Sequence, residues 1–153
     1  MLLKPDPANG CFGCGGANSR GLQLTFEQDD ATRRIRGRFS LPADFQGAAG
    51  FIHGGIIAML LDEVMSKANR FRKARAVTAE LTVEYLRPVR VGQNLVIEGW
   101  ETDAQGRNLF LAGEIRDADG TLLARGRGRF VDLDVVRDPH AETVSSRKSE
   151  DQH

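Results

Sequence analysis

A histidine followed by two glycines, His53-Gly54-Gly55, opens an amphipathic stretch, and one carboxylate, Asp62, lies across that stretch from its apolar stripe. Glycines at a helix start leave the first backbone N–H groups unshielded, and the helix dipole turns its positive end toward whatever sits there. Such a start can hold an anion or polarise a carbonyl oxygen. The same glycines can equally serve only a tight entry into the helix, with His53 capping or packing. On a wheel of about 100° per residue the stripe centres near Val64, and Asp62 falls roughly 150° away beside Gly55, Ala58, Ser66 and Asn69. Small residues around one carboxylate admit a ligand or another backbone closely, so Gly55 and Ser66 join Asp62 as candidate substrate contacts. The plain alternative is a solvent-facing aspartate. Glu63 lies nearer the stripe's edge and reads as structural.

From Gly55 to Asp62 is seven residues, about 10 Å along a helix axis, so one chain does not easily bring both to the same reacting carbonyl. If both act, they come from different subunits. Two antiparallel helices about a two-fold axis would set Asp62 of one chain opposite Gly54 and Gly55 of the other, twice. No Gly-x-Ser-x-Gly elbow supplies an activated serine. Cys11 and Cys14 form half of a zinc site with no second cysteine pair in the chain, so they read as structural or incidental thiols ahead of a zinc or redox role. The expectation is no metal and no cofactor.

The elements that must position these groups follow from periodicity. Between residues 54 and 69, Ile56, Ile57, Leu60, Leu61, Val64, Met65 and Ala68 recur at three- and four-residue spacing, which predicts the one strong helix. Stretches 22–26 and 34–39 alternate at period two about Asp29-Asp30 and read as a strand pair. Residues 41–51, with Pro42, Gly47 and Gly50, read as a loop. Stretches 77–86, 95–102, 109–116 and 122–131, separated by short glycine-containing turns, predict an antiparallel sheet. One long helix among about six strands gives an α+β fold in which the sheet wraps the helix. In the strand carrying Thr78, the odd positions Ala79, Leu81, Val83 and Tyr85 read as core, so Thr78 is expected on the opposite, polar face.

Composition bounds the rest. With 153 residues, 41% of them hydrophobic, the chain is long enough for one core without disulfide or metal staples. Lys plus Arg equals Asp plus Glu at 21 each, which argues against a general nucleic-acid binder. Lys4, Pro5 and Pro7 interrupt the start before a signal core could form, and no apolar run reaches a membrane span, so a soluble, cytoplasmic protein is expected. Residues 1–19 read as an irregular arm carrying both cysteines, 20–135 as the folded domain, and 136–153 as a disordered polar tail.

Taken in order, Phe45-Gln46-Gly47, His53-Gly54-Gly55, Leu60-Leu61-Asp62-Glu63 and the run from Thr78 through Tyr85-Leu86-Arg87-Pro88-Val89 resemble the hotdog-fold acyl-CoA thioesterases of the phenylacetate-pathway type. Cys11-Phe12-Gly13-Cys14-Gly15, with Asn18 and Gly21-Leu22, is similar to an N-terminal signature in one branch of that family, with Ser19 where a proline is usual. The resemblance covers about residues 11–132. It implies that Asp62, nine residues after His53, is the catalytic carboxylate, as general base or nucleophile. It maps the carbonyl-polarising glycine N–H onto Gly54 and a helping hydroxyl onto Thr78, and it counts His53 with this catalytic set. Gln46 and Gly47 occupy the region where relatives carry a water-orienting amide. The implied partners are an acyl-CoA substrate and a second copy of the chain, as a homodimer or dimer of dimers. Coenzyme A is polyanionic, so basic residues must gather at its site; the candidates are Arg87 and Arg90 around Pro88, Arg70, Arg72, Lys73 and Arg75 after the helix, and Arg125, Arg127 and Arg129 on the last strand, where cations equally suit a helix C-terminus or a solvated outer face. The rival expectations are a hotdog dehydratase or hydratase and a non-catalytic acyl-thioester-binding protein.

Overall fold

The computed structural model describes residues 1–134, built around helix α1, Gly54–Ala68. Its buried residues Ile57, Leu60, Leu61, Val64, Met65 and Ala68 are the apolar repeat of the sequence, and Leu61, Val64 and Met65 are fully excluded from water. Each such side chain contributes about 1.5–3 kcal/mol by leaving water, so the stripe rather than helix propensity holds α1 in place. At its far end α1 passes into a 3-10 turn, Asn69–Arg72, which Lys73 terminates in a left-handed conformation, φ 54°.

Around the helix curls a single sheet of seven strands. These are β1 (Leu2–Leu3), β2 (Phe26–Asp29), β3 (Arg34–Phe39), β4 (Ala76–Tyr85), β5 (Leu95–Gln105), β6 (Asn108–Asp117) and β7 (Leu122–Asp132), in spatial order β1-β2-β3-β5-β6-β7-β4 with every pair antiparallel. This is the hotdog fold. The crossover between β3 and β4, which lie four places apart in the sheet, is α1 itself, and α1 touches β3, β5, β6, β7 and β4.

What lets the helix sit so deep is a row of glycines. Gly99 on β5 pairs with Gly113 on β6, and Gly113 pairs with Gly126 on β7, so three adjacent strands present no side chain at one level. A Cβ on Gly99 would stand 2.7 Å from the carbonyl oxygen of Val64, a backbone atom, whereas one on Gly113 would meet only side-chain carbons, the nearest at 3.3 Å on Leu61. The α1 backbone therefore rests on β5 and its side chains fan out over β6 and β7.

The structure revises several boundaries. The strand expected over 22–26 begins only at Phe26. Leu22 and Leu24 donate their N–H groups to Phe12 and Gly13 carbonyls of the arm, and Gln23 takes φ 47°; the alternation there records burial of Leu24 rather than a ladder. The arm is tied into the fold, because Leu2 and Leu3 pair with Glu27 and Phe26 and Cys14 joins the core. That adds a seventh strand. The loop over 41–51 holds a 3-10 turn, Ala43–Phe45, and β5 runs on to Gln105, leaving Gly106 and Arg107 as the two-residue turn into β6. The polar tail expected over 136–153 lies outside the described residues. Among the described residues no helix is long and apolar enough to cross a membrane.

The glycine row yields a graded expectation. Gly99→Ala should lose about 1–3 kcal/mol of stability by forcing backbone from backbone, and Gly113→Ala should lose clearly less, since side-chain ends can yield. Urea unfolding of both variants checks the order; equal losses would show that α1 does not rest on β5.

Candidate active site

Two groups of residues converge on α1, one at its start and one midway. At the start, the loop leading in is fixed by backbone bonds: the His53 N–H to the Phe45 carbonyl at 2.9 Å and the Ile52 N–H to the Val89 carbonyl at 2.8 Å. His53 is the N-cap. Its Nδ1 accepts from the Gly55 N–H at 2.9 Å, and its carbonyl accepts from Ile56 and Ile57. Among the described residues the N–H of Gly54 has no partner, and the residue is exposed. Of the two glycines proposed from sequence, then, Gly54 has an open N–H and Gly55 has one committed to His53.

Gly54 is held from its other side by a residue that sequence reasoning placed in the core. Tyr85, at the end of β4, is 55% exposed, and its hydroxyl donates to the Gly54 carbonyl at 2.7 Å. Beside this contact lies a cavity of about 280 Å³ whose lining includes Phe51, Gly54, Ile57, Tyr85, Arg87 and Val89. No spacing in the sequence signals Tyr85. An aromatic residue with a polar tip at a strand end is the only hint.

Midway along α1, Asp62 is half-buried and its Oδ1 accepts a hydrogen bond of 2.6 Å from the Thr78 hydroxyl. The other oxygen, Oδ2, has no partner among the described residues. The expected polar-face orientation of Thr78 is corrected by a β-bulge. The register of β4 against β7 slips between Thr78 and Glu80, so Thr78 pairs with Phe130, a fully buried residue, while Glu80 pairs with Arg129. Ala79 is the extra residue, and beyond it Leu81 and Val83 lie over Gly128 and Gly126 on the helix side. A strict alternation would have turned the hydroxyl away; the bulge re-aims it at the helix.

The remaining candidates are more scattered. Ser66, one turn beyond Asp62, is half-buried. Asn69, which the wheel set on the same face, is instead 3% exposed at the helix end. Gln46 turns back on its own loop, its Oε1 accepting from the Gly50 N–H at 3.2 Å, and Gly47 packs against His53. Arg72, Arg75, Arg125 and Arg129 are engaged with Glu101, Asp134, Glu84 and Glu80. Among the described residues no ion pair involves Arg87 or Arg90; both are exposed, and Arg87 lines the cavity beside Gly54.

One cluster was not legible at all. Glu63, next in sequence to Asp62, reaches the loop of the two cysteines, with Cys11 Sγ 3.7 Å from its Oε2. Gly13 makes room, since a Cβ there would stand 2.6 Å from that oxygen. Burial first, then the hydrogen bond with Glu63, pushes the Cys14 thiol up to about 12.

Comparison with known proteins bears on these features together. The sequence model of the thioesterase superfamily matches residues 49–124, which include Gly54, Asp62, Thr78 and Tyr85. Acyl-coenzyme A thioesterase THEM4 of Bos taurus is 32% identical over 124 residues, covering 80% of this chain and 51% of that protein. Acyl-coenzyme A thioesterase 13 of Homo sapiens is 32% identical over 84 residues, covering 52% of this chain and 59% of its own. The chain spans about half the length of the curated relatives it matches. The crystal structure of a thioesterase superfamily protein superimposes with a TM-score of 0.75 at 32% identity, over 80% of this chain and 60% of that one.

The capping role of His53 is open to a direct check. His53→Ala should cost about 0.5–2 kcal/mol of stability, as loss of an N-cap does, and His53→Asn should recover most of it. Denaturant titration of the two variants reads this; equal destabilisation by both would remove the cap from consideration.

Proposed function

We propose that this chain, which has the hotdog fold, belongs to the thioesterase superfamily and hydrolyses an acyl-coenzyme A thioester to the free acid and coenzyme A. The observation that carries this is the pairing, on one helix, of a Gly54 N–H that has no partner among the described residues with a carboxylate that Thr78 holds by one oxygen. The thioester carbonyl oxygen accepts from the Gly54 N–H at the positive end of α1, which stabilises the negative charge that grows there as the carbonyl carbon is attacked. Asp62 takes a proton from the attacking water, or attacks the carbonyl itself and is freed by water afterwards. Either way the C–S bond breaks, the sulfur leaves as the coenzyme A thiol after gaining a proton, and water supplies the acid's second oxygen. Thr78 positions the carboxylate and Tyr85 positions Gly54. His53 acts as a cap, and Arg87 and Arg90 meet the phosphates of the substrate.

Gly54 and Asp62 are eight residues apart on α1, about 12 Å along the axis, so a single reacting carbonyl draws them from two subunits. The free edge of β4 supports this arrangement. In the sheet order β4 is terminal, and exposed Val77 and Tyr85 stand on it. Two copies pairing there about a two-fold axis would run their helices antiparallel and complete two sites. The phenylacetate-pathway subtype belongs to the same proposal at the level of the acyl group. A dehydratase would use a histidine as the base at the substrate carbon; Nδ1 of His53 already accepts from the Gly55 N–H, which leaves that ring only Nε2 for such a role.

Asp62→Asn should keep fold and ligand binding but lower kcat about 100-fold or more in a thiol-release assay across short, medium, long and aromatic acyl-CoAs. Binding of these ligands by the wild type without any thiol release would favour the non-catalytic alternative. Turnover by Asp62→Asn at the wild-type rate would remove the carboxylate from the chemistry.

Sharing of the site is tested by mixing Asp62→Asn with Gly54→Pro. Gly54 is the first residue of α1, where proline is tolerated but brings no N–H. With subunit exchange shown independently and both variants folded, activity should reappear toward half of wild type in mixed dimers. Verified mixed dimers that stay inactive would mean that Asp62 serves its own chain or none.

A further inference from the structure

We propose that Cys11, Cys14 and Glu63 bind a divalent metal ion of the zinc class, which fastens the N-terminal arm to α1. The donor atoms of the three residues lie within 4.8 Å of one another. A tetrahedral ion with bonds of about 2.3 Å to sulfur and about 2.1 Å to oxygen sets its donors roughly 3.5–3.8 Å apart, so the cluster needs to close by only about 1 Å. Two thiolates and a carboxylate form the donor set that selects zinc-like ions over magnesium or calcium, which prefer all-oxygen ligation.

The loop that carries the thiols holds the donors in place for an ion. The turn that brings the thiols together is tightly wound, with the Cys11 N–H on Asn9 Oδ1 at 2.8 Å and the Gly15 N–H on the Cys11 carbonyl at 2.9 Å. A Cβ at Gly15 would stand 2.2 Å from the Asn9 carbonyl oxygen, so the chain there accepts nothing larger. Cys14 is 6% exposed, and the charged groups facing it are the Glu63 carboxylate and the Lys67 ammonium. Two thiolates and a carboxylate carry three negative charges; a divalent ion together with Lys67 neutralises them. Each thiol releases its proton on binding, and the fourth coordination position is left to water. This site owes nothing to the hydrolytic reading, since Glu63 and Asp62 point to different sides of α1.

The test uses the full chain, reduced and stripped with chelator, titrated with Co²⁺ and then Zn²⁺. One equivalent of Co²⁺ per chain should give the sulfur-to-cobalt charge-transfer absorption of a tetrahedral thiolate site, and Zn²⁺ should displace it. Cys11→Ser with Cys14→Ser should abolish the absorption. Glu63→Gln should weaken binding at least about tenfold, as loss of even a supporting group does. Glu63→Gln also guards against a cysteine variant that fails to fold. Absence of the band while both thiols titrate as free would overturn the proposal. So would wild-type affinity in Glu63→Gln, or a stoichiometry of half an ion per chain, which would mean a four-sulfur site between two copies with Glu63 outside it.

Discussion

Everything in this molecule depends on how closely α1 lies against the sheet. A helix normally keeps about 10 Å from a neighbouring layer because side chains on both surfaces intervene. Here Gly99, Gly113 and Gly126 withdraw theirs in a line across β5, β6 and β7, and the Val64 carbonyl comes within 2.7 Å of where a Gly99 Cβ would be. The sheet can then fold round the helix instead of merely covering one face. That brings its far edge, β4, up beside the part of α1 that the core does not use. Asp62 stands there.

Much of this was legible from the sequence, and the reasons are particular. The α1 stripe is long, apolar and strictly periodic, so both its existence and the side that carries Asp62 follow from residue type alone. Four of the strands announce themselves by glycine turns and alternation. The signal failed where backbone geometry departs from its period. Leu22 and Leu24 alternate like a strand yet bond to the arm, and the bulge at Ala79 reverses the face on which Thr78 is found. The resemblance to thioesterases named Thr78, whereas strict alternation turns its side chain from the helix; the bulge instead directs its hydroxyl to Asp62.

The site was legible in proportion to how local its parts are. His53, Gly54 and Gly55 are consecutive, and their behaviour as a capped helix start needs only helix geometry. The contacts of Tyr85 with Gly54 and of Glu63 with Cys11 join residues 31 and 52 positions apart, and nothing in composition or spacing encodes them. Sequence alone also treated the arm as separate from the chemistry-bearing helix. Its cysteines in fact touch the residue next to Asp62, so the first two dozen residues and the centre of α1 form one structural unit.

The two hydrogen bonds that join β4 to α1 have a consequence for the room beside the helix. They pin the strand at Thr78 and Tyr85 to the helix at Asp62 and Gly54. Between the pins the helix advances about 12 Å, but the strand, even shortened by its bulge, spans about 20 Å. A longer member fixed to a shorter one at both ends must slant or bow, and Tyr85 must reach back with its whole ring length to close the loop. The Gly54 end, where Tyr85 closes that loop, is also where the cavity lined by Ile57, Phe51 and Arg87 is found. The mismatch in rise per residue between the two kinds of secondary structure is thus taken up at the end of the helix where that space lies.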